Sequence, residues 1–294
     1  MVNYNPKDWF STIFRFHKAD TSRKLFPLIM VVSLYSAAIA YIEINLLHLT
    51  DKSYLRNIPL MHSLLGVVIS ILLVFRTNTA YDRWWEGRKL WGGLVNNSRN
   101  LAMKLSAMLP TEETAQRTFF RKMIPAFAHA LHTHLKSEET RTALFEKAIA
   151  KGHLTNIDTE KHIPNQIAAK IFKHIQSLYA EKIIDGNQLI VLNEELRSFT
   201  DICGACERIK NTPIPYSYSV FIKKFIFVYV ITLPIGYVFS LGFWVVPVVA
   251  FIFYVLASME LIAEEIEDPF GEDDNDVPTH QIADRIQLHV EEIL

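Results

Sequence analysis

Oxygen ligands crowd one stretch near the end of the chain, Glu264-Glu265-Ile-Glu267-Asp268-Pro-Phe-Gly271-Glu272-Asp273-Asp274-Asn275-Asp276. Calcium takes about six to eight oxygens, and two carboxylates plus the carbonyls of a tight Pro-Phe-Gly turn could supply them. The spacing is not that of an EF-hand, and a solvated acidic segment is the competing reading. Cys203-Gly-Ala-Cys206 has redox-motif spacing. No strand precedes it and no second pair completes a zinc site, so two packing thiols on a helix explain it better. His129 and His132 share a helix face, with His134 close by, yet no carboxylate or cysteine is spaced to join them as metal ligands. Glu264, Glu265 and Glu267 make no recognisable catalytic pair. The sequence contains no Gly-rich phosphate loop, nucleophile elbow or His-Glu metalloprotease motif, so no enzyme is expected.

A second constellation is apolar. Val67, Ile71 and Phe75 recur every four residues, which puts them on one helix face. A copy of that face from each of several subunits would form hydrophobic rings around a pore, and such a constriction can lose its water column and so act as a gate. Ordinary helix-helix packing is the competing reading, because any apolar span holds some residues at this spacing. Ser63 lies one turn further out on the same face and could line an outer vestibule, and Ser70 lies close to the stripe. His62 is off the stripe, which suits a packing or interfacial role.

The elements that must carry these residues are membrane helices. Half of the 294 residues are hydrophobic and the formal net charge is -1, which argues against a nucleic-acid binder with its basic face. Two cysteines cannot build a disulfide framework. The apolar residues gather in three blocks: Leu25 to Leu49 with the single acid Glu43, Asn57 to Phe75 with no formal charge, and Phe225 to Met259 with none. A spanning helix needs roughly 20 apolar residues. The last block is long enough for two spans, with Pro234, Gly236 and Gly242 offering a turn between a helix from Val220 to Tyr237 and another from Gly242 to Ile262. Four spans put both termini on one side. Lys18, Arg23, Lys24, Arg76, Arg83, Arg88, Lys89, Lys223 and Lys224 flank the spans on that side and assign it to the cytoplasm, while Lys52 and Arg56 run against the trend. No signal-peptide pattern opens the chain.

Ile58 to Trp91 passes from apolar to charged residues with no glycine or proline near the junction, so one helix is expected to leave the membrane and continue into water. The polar region that follows is helical in pattern, with Ile167, Ile171, Ile175 and Leu178 on one face, a turn at Asp185-Gly186-Asn187, then Leu192 and Leu196. Pro110-Thr111 and Lys151-Gly152 are further boundaries. Asn5 to Phe16 mixes aromatics with charge as an interfacial or docked helix would. The division is 1–24 for a cytosolic or interfacial segment, 25–75 for two spans, 76–219 for a cytosolic helical region, 220–263 for two more spans, and 264–294 for the acidic turn and a last helix. The cytosolic helices are expected to pack on extensions of the membrane helices.

Three ordered segments resemble the bestrophin family: Phe75-Arg76-Thr-Asn-Thr-Ala-Tyr-Asp-Arg83-Trp84-Trp85-Glu-Gly87-Arg88, Cys206-Glu-Arg-Ile-Lys-Asn-Thr-Pro213-Ile214-Pro215-Tyr216, and the acidic stretch after the last span. The resemblance implies an all-α, four-span homopentamer around a central pore, in a bacterial-style cell membrane, in contact with lipids and conducting monovalent ions. Eukaryotic relatives conduct chloride, and some bacterial ones prefer cations. By the same resemblance Val67, Ile71 and Phe75 match the family's neck, and Ile214, framed by two prolines that restrict the backbone, matches its cytosolic aperture. A simple helix break is the other reading of Ile214.

Calcium-responsive members hold the ion with side chains matching Asp273 and Asp276, carbonyls matching Glu265 and Asp268, and a carbonyl from a neighbouring N-terminus. This chain departs from their more uniform aspartates, and bacterial members often lack calcium control. Calcium is therefore a candidate ligand and no cofactor is required. A secondary transporter would show paired halves with broken helices, which the spans lack, and a membrane-anchored scaffold is the other alternative.

Overall fold

The computed structural model describes residues 21–47, 57–137, 141 and 157–294. The segment from Asn5 to Phe16, Lys52, Arg56 and the Lys151-Gly152 boundary lie outside these residues. All regular structure in the described residues is helical. Helix α1 (Thr21–Tyr41) continues into a π-helical turn, Ile42–Leu46. Then come α2 (Ile58–Met108), α3 (Thr114–His134), α4 (Ile163–Ala180), α5 (Gly186–Asn211), α6 (Tyr216–Leu241), α7 (Val245–Glu267) and α8 (Thr279–Ile293).

Helix α2 runs for 51 residues without a break, about 75 Å at the ordinary helical rise. Pro59 sits in its first turn, where no backbone bond is lost. The first half buries His62, Ile69, Leu73, Arg76 and Ala80, and the second half buries Trp91, Leu94, Leu101 and Leu105. Each half serves a different core. Ile69 and Leu73 pack with Ile222, Ile226 and Val230 of α6 and Val249 and Phe253 of α7. Trp91, Leu94 and Leu105 pack with Phe120 and Phe127 of α3, Ile171 and Ile175 of α4, Phe199 of α5 and Ile286 of α8. One rod therefore joins the apolar layer to the more polar layer, and the helices of the second layer are built onto it.

Three described segments are long and apolar enough to cross a membrane: Thr21–Leu46, Ile58–Met108 and Tyr216–Glu267. The last of these holds both α6 and α7. Their junction differs from the sequence expectation, because α6 continues through Pro234 and Gly236 to Leu241. Gly236 is a packing glycine. A β-carbon there would lie 2.8 Å from Ile58 Cβ and 2.9 Å from Pro59 Cδ, so the start of α2 closes directly onto this backbone. Gly242 alone makes the turn. It holds φ +55°, a left-handed value that glycine adopts without strain, and opens the short 3₁₀ turn Gly242–Trp244.

Local signals place the helices of the second layer as their sequence suggests. Asp185 caps α5 by accepting the Gln188 N–H while the Gln188 side chain accepts the Asp185 N–H, which makes the Asp-Gly-Asn turn a capping box. Cys203 and Cys206 are buried in the core that α5 shares with α2 and carry no disulfide. Burial pushes the Cys203 thiol up to about 12 and the Cys206 thiol higher still. Such thiols stay protonated at neutral pH and are poor nucleophiles.

Candidate conduction path and acidic turn

Val67, Ile71 and Phe75 project from α2 on the side away from its buried stripe. In a single chain they are 60%, 51% and 63% exposed. Ile69 and Leu73 lie between them in sequence, about 200° further around the helix, and are buried against α6 and α7. Ser63 is exposed and Ser70 turns back to bond the Gly66 carbonyl. His62 is buried, with Nδ1 3.1 Å from the Ile58 carbonyl and Nε2 2.8 Å from Thr232 Oγ1, edge-on to Tyr229. It is a packing residue that ties α2 to α6.

One residue after Phe75, the helix turns a charge inward. Arg76 is 1% exposed and faces two carboxylates of α7, Glu267 at 2.6 Å and Glu260 at 3.5 Å. The other oxygen of Glu267 accepts the Ile214 N–H at 2.7 Å. Ile214 stands in the link between α5 and α6, just before Pro215, which caps α6. Arg83, two turns below Arg76, holds the same link by donating to the Ile209 and Thr212 carbonyls, and its Nε donates to the Glu267 carbonyl. The helix that carries the apolar stripe and the loop that carries Ile214 are thus fixed to each other through one acidic side chain.

The acidic turn docks on the same helix. Trp84 donates its indole N–H to the Asn275 carbonyl at 2.9 Å. Phe270 is buried against Gly87, where a β-carbon would stand 3.1 Å from the Phe270 ring and 3.2 Å from Pro269. Glu272, Asp273 and Asp274 are exposed, but Glu265 and Asp276 are buried. The reading of a wholly solvated segment therefore does not hold. Asp276 Oδ2 accepts the Asp273 N–H at 2.7 Å, and Oδ1 is buried with no hydrogen-bond partner among the described residues. Burial, reinforced by Asp273 and Asp268 and opposed by the Asp273 N–H, pushes the Asp276 carboxyl up to about 7. Two lysines already stand at the turn. Lys24 meets Glu265 at 2.6 Å and Asp273 at 3.8 Å, and Lys136 donates to the Phe270 and Gly271 carbonyls. The Asp268 carbonyl accepts the Gly271 N–H.

Two features escape a reading of spacing alone. Arg76, Glu260 and Glu267 are joined only by the packing of α2 on α7; the available signal was a charge at the end of each apolar run. The histidines also find a carboxylate after all, contrary to the local pattern. His129 faces Asp284 and His132 bonds Thr279, but His134 meets Glu207 at 2.7 Å, and Glu207 is also 2.6 Å from His162. Those three residues come from α3, the start of α4 and α5, so no sequence interval could join them.

The architecture defines an all-helical membrane protein whose second helix carries an apolar stripe and then runs on from the apolar layer into a second, more polar layer. The chain belongs to the bacterial and fungal bestrophin family, whose description, "Bacterial/Fungal Bestrophin protein", matches residues 1–292. A "voltage-dependent anion channel-forming protein" of Nostoc sp. is 36% identical over 250 residues, covering 82% of this chain and 80% of that one. One with the same description from Escherichia coli is 31% identical over 293 residues, covering 98% and 92%. A crystal structure of a bacterial bestrophin homologue from Klebsiella pneumoniae, in a single-substitution form, superposes with a TM-score of 0.81 at 26% identity. It covers 92% of this chain and 98% of that one.

Proposed function

We propose that copies of this chain, five by family likeness, assemble around a central axis into a channel for monovalent ions in the cell membrane, with both termini cytoplasmic and four spans per chain. The observation that carries the reading is the outward stripe of Val67, Ile71 and Phe75. It is apolar, it belongs to a membrane helix, and it faces away from the chain's own core. Several such stripes would enclose a narrow apolar neck, with Ser63 on its outer side, that conducts when wet and closes when its water column is lost. Ile214, held by Glu267, forms the cytosolic aperture. An apolar neck has little preference for the sign of charge, so selectivity falls to polar residues outside it. The names of the relatives support anions. Purified protein in planar bilayers is expected to give discrete current steps that reverse near the anion equilibrium potential in asymmetric salt. Reversal near the cation potential would overturn the anion assignment, and the absence of steps would overturn the channel.

We also infer that calcium binds at the acidic turn through the Asp273 and Asp276 side chains and the Glu265 and Asp268 carbonyls. Asp276 Oδ1, buried with no hydrogen-bond partner among the described residues, fits a hard cation that accepts oxygen ligands. Bound calcium would supply charge neutralisation there, the task Lys24 and Lys136 now perform in part.

A further inference from the structure

His134, His162 and Glu207 converge, and none of them is assigned above to the neck, the aperture or the acidic turn. His134 sits in the last turn of α3. His162 is the residue that caps α4, where its Nδ1 accepts the Asn165 N–H at 3.2 Å. Glu207 stands on α5, near its C-terminal end. The two Nε2 atoms lie 2.7 and 2.6 Å from the same oxygen, Glu207 Oε1, and all three ligand atoms fall within 4.8 Å of one another. The two imidazole rings are 4.3 Å apart, centre to centre.

We propose that His134, His162 and Glu207 form a binding site for a late first-row divalent cation of the zinc class, which staples the ends of α3, α4 and α5 together. Two imidazole nitrogens and one carboxylate oxygen are the protein ligands of a three-residue zinc site, with a fourth position open to water. The openness is present: the side chains are 17%, 30% and 29% exposed. At zinc-ligand distances of about 2.0–2.2 Å the three donor atoms must stand further apart than a hydrogen bond. They therefore spread by several tenths of an ångström as the ion enters, a movement that side-chain rotation on three helix ends allows.

Ligation through Nε2 places the His162 proton on Nδ1, so the bond from the Asn165 N–H is released. That amide lies at an exposed helix start, where water can take it up. Burial lowers the His134 pKa against the opposing pull of Glu207. Burial by itself would raise Glu207, but hydrogen bonds from His162 and His134 outweigh it and hold the carboxyl ionised.

The test uses the full-length protein with any purification tag removed, stripped by chelator and titrated with Zn(II) by calorimetry, then with Co(II) to read its visible d–d bands. Wild type is expected to take up a single Zn(II) per chain, to melt at a higher temperature when loaded, and to give the intense bands of low-coordinate Co(II). His162→Ala and Glu207→Gln are expected to bind on the order of 100-fold more weakly or worse, since even outer-shell substitutions cost about 10–100-fold. The paired change Asp273→Ala with Asp276→Ala should leave zinc uptake intact, which separates this site from the acidic turn. Two results would overturn the proposal. One is the lack of stoichiometric uptake by wild type, which needs no variant to fold. The other is wild-type affinity in variants whose elution volume and circular dichroism match wild type.

Discussion

The Arg76 guanidinium lies 2.6 Å from the Glu267 carboxylate. The other oxygen of that carboxylate holds the Ile214 backbone at 2.7 Å, so the inner end of the apolar stripe and the candidate cytosolic aperture share one acidic side chain. A shift of α2 against α7 would bear on the α5–α6 link through that side chain. Breaking a buried ion pair from one side is severe because it strands a charge. Glu267→Gln is expected to destabilise the protein by about 3 kcal/mol, the lower end of the usual range, since Glu260 still faces Arg76 at 3.5 Å. Thermal or denaturant unfolding in detergent measures this. Adding Arg76→Met should recover part of the loss, giving a coupling of at least about 1 kcal/mol, whereas strictly additive losses would mean that the pair does not interact.

Two glycines in helices should respond to alanine with opposite signs. Gly236→Ala gains helix propensity of about 1 kcal/mol, yet its β-carbon would come within 2.8 Å of Ile58 and 2.9 Å of Pro59. Overpacking of this kind costs about 1–3 kcal/mol, so a net loss of stability is expected. Gly204→Ala meets nothing within 4 Å and should stabilise α5 by about 0.5–1 kcal/mol. Melting temperatures of the two variants, measured together, check the contrast.

His174 is expected to make the helical layer built on the second half of α2 sensitive to acid. Its ring stacks on Phe119 at 3.8 Å and meets Phe120 edge-on at 5.2 Å, and Nε2 is buried with no hydrogen-bond partner among the described residues. Burial lowers its pKa in the folded state, below the value of about 6.5 expected when unfolded. The unfolded chain therefore takes up the proton first. The stability contributed by the neutral ring is present above about pH 6.5 and is lost as pH falls through the folded value. His174→Phe keeps the stacking and removes the titration, so its stability should fall less than that of wild type between about pH 7 and 5. Parallel slopes for the two proteins would show that another group is responsible.

The calcium assignment makes a separable prediction. Calorimetric titration of wild type with calcium should release heat that disappears when Asp273→Ala and Asp276→Ala are combined. Identical heats in the two proteins would mean that the acidic turn is not where calcium binds.

Much of this architecture could be read from the sequence because each layer has its own local signature. The uncharged run before Arg76 and the charged run after it predict a single long helix, and α2 is unbroken through both. The recurrence of Ile167, Ile171, Ile175 and Leu178 predicts a buried helical face, and all four are buried. Pro234 and Gly236 mislead because proline and glycine usually mark turns in a soluble chain. Within an apolar bundle, glycine also lets two backbones approach, which is its role beside Ile58. What the sequence hides are the partnerships between distant segments: Glu267 with Arg76 and Ile214, Gly87 with Phe270, and Glu207 with His134 and His162. Each pairs residues whose separation in sequence carries no periodic trace, and only the packing of whole helices brings them into contact.

The central claim is that Val67, Ile71 and Phe75 line the narrowest part of a conduction path. Replacing all three with alanine would widen such a neck and weaken its tendency to lose water. Single-channel recording in planar bilayers is the direct measurement. The account predicts larger unitary conductance or a markedly higher open probability for the triple variant than for wild type. Current steps of unchanged size and gating, from a variant that assembles as wild type does, would contradict it.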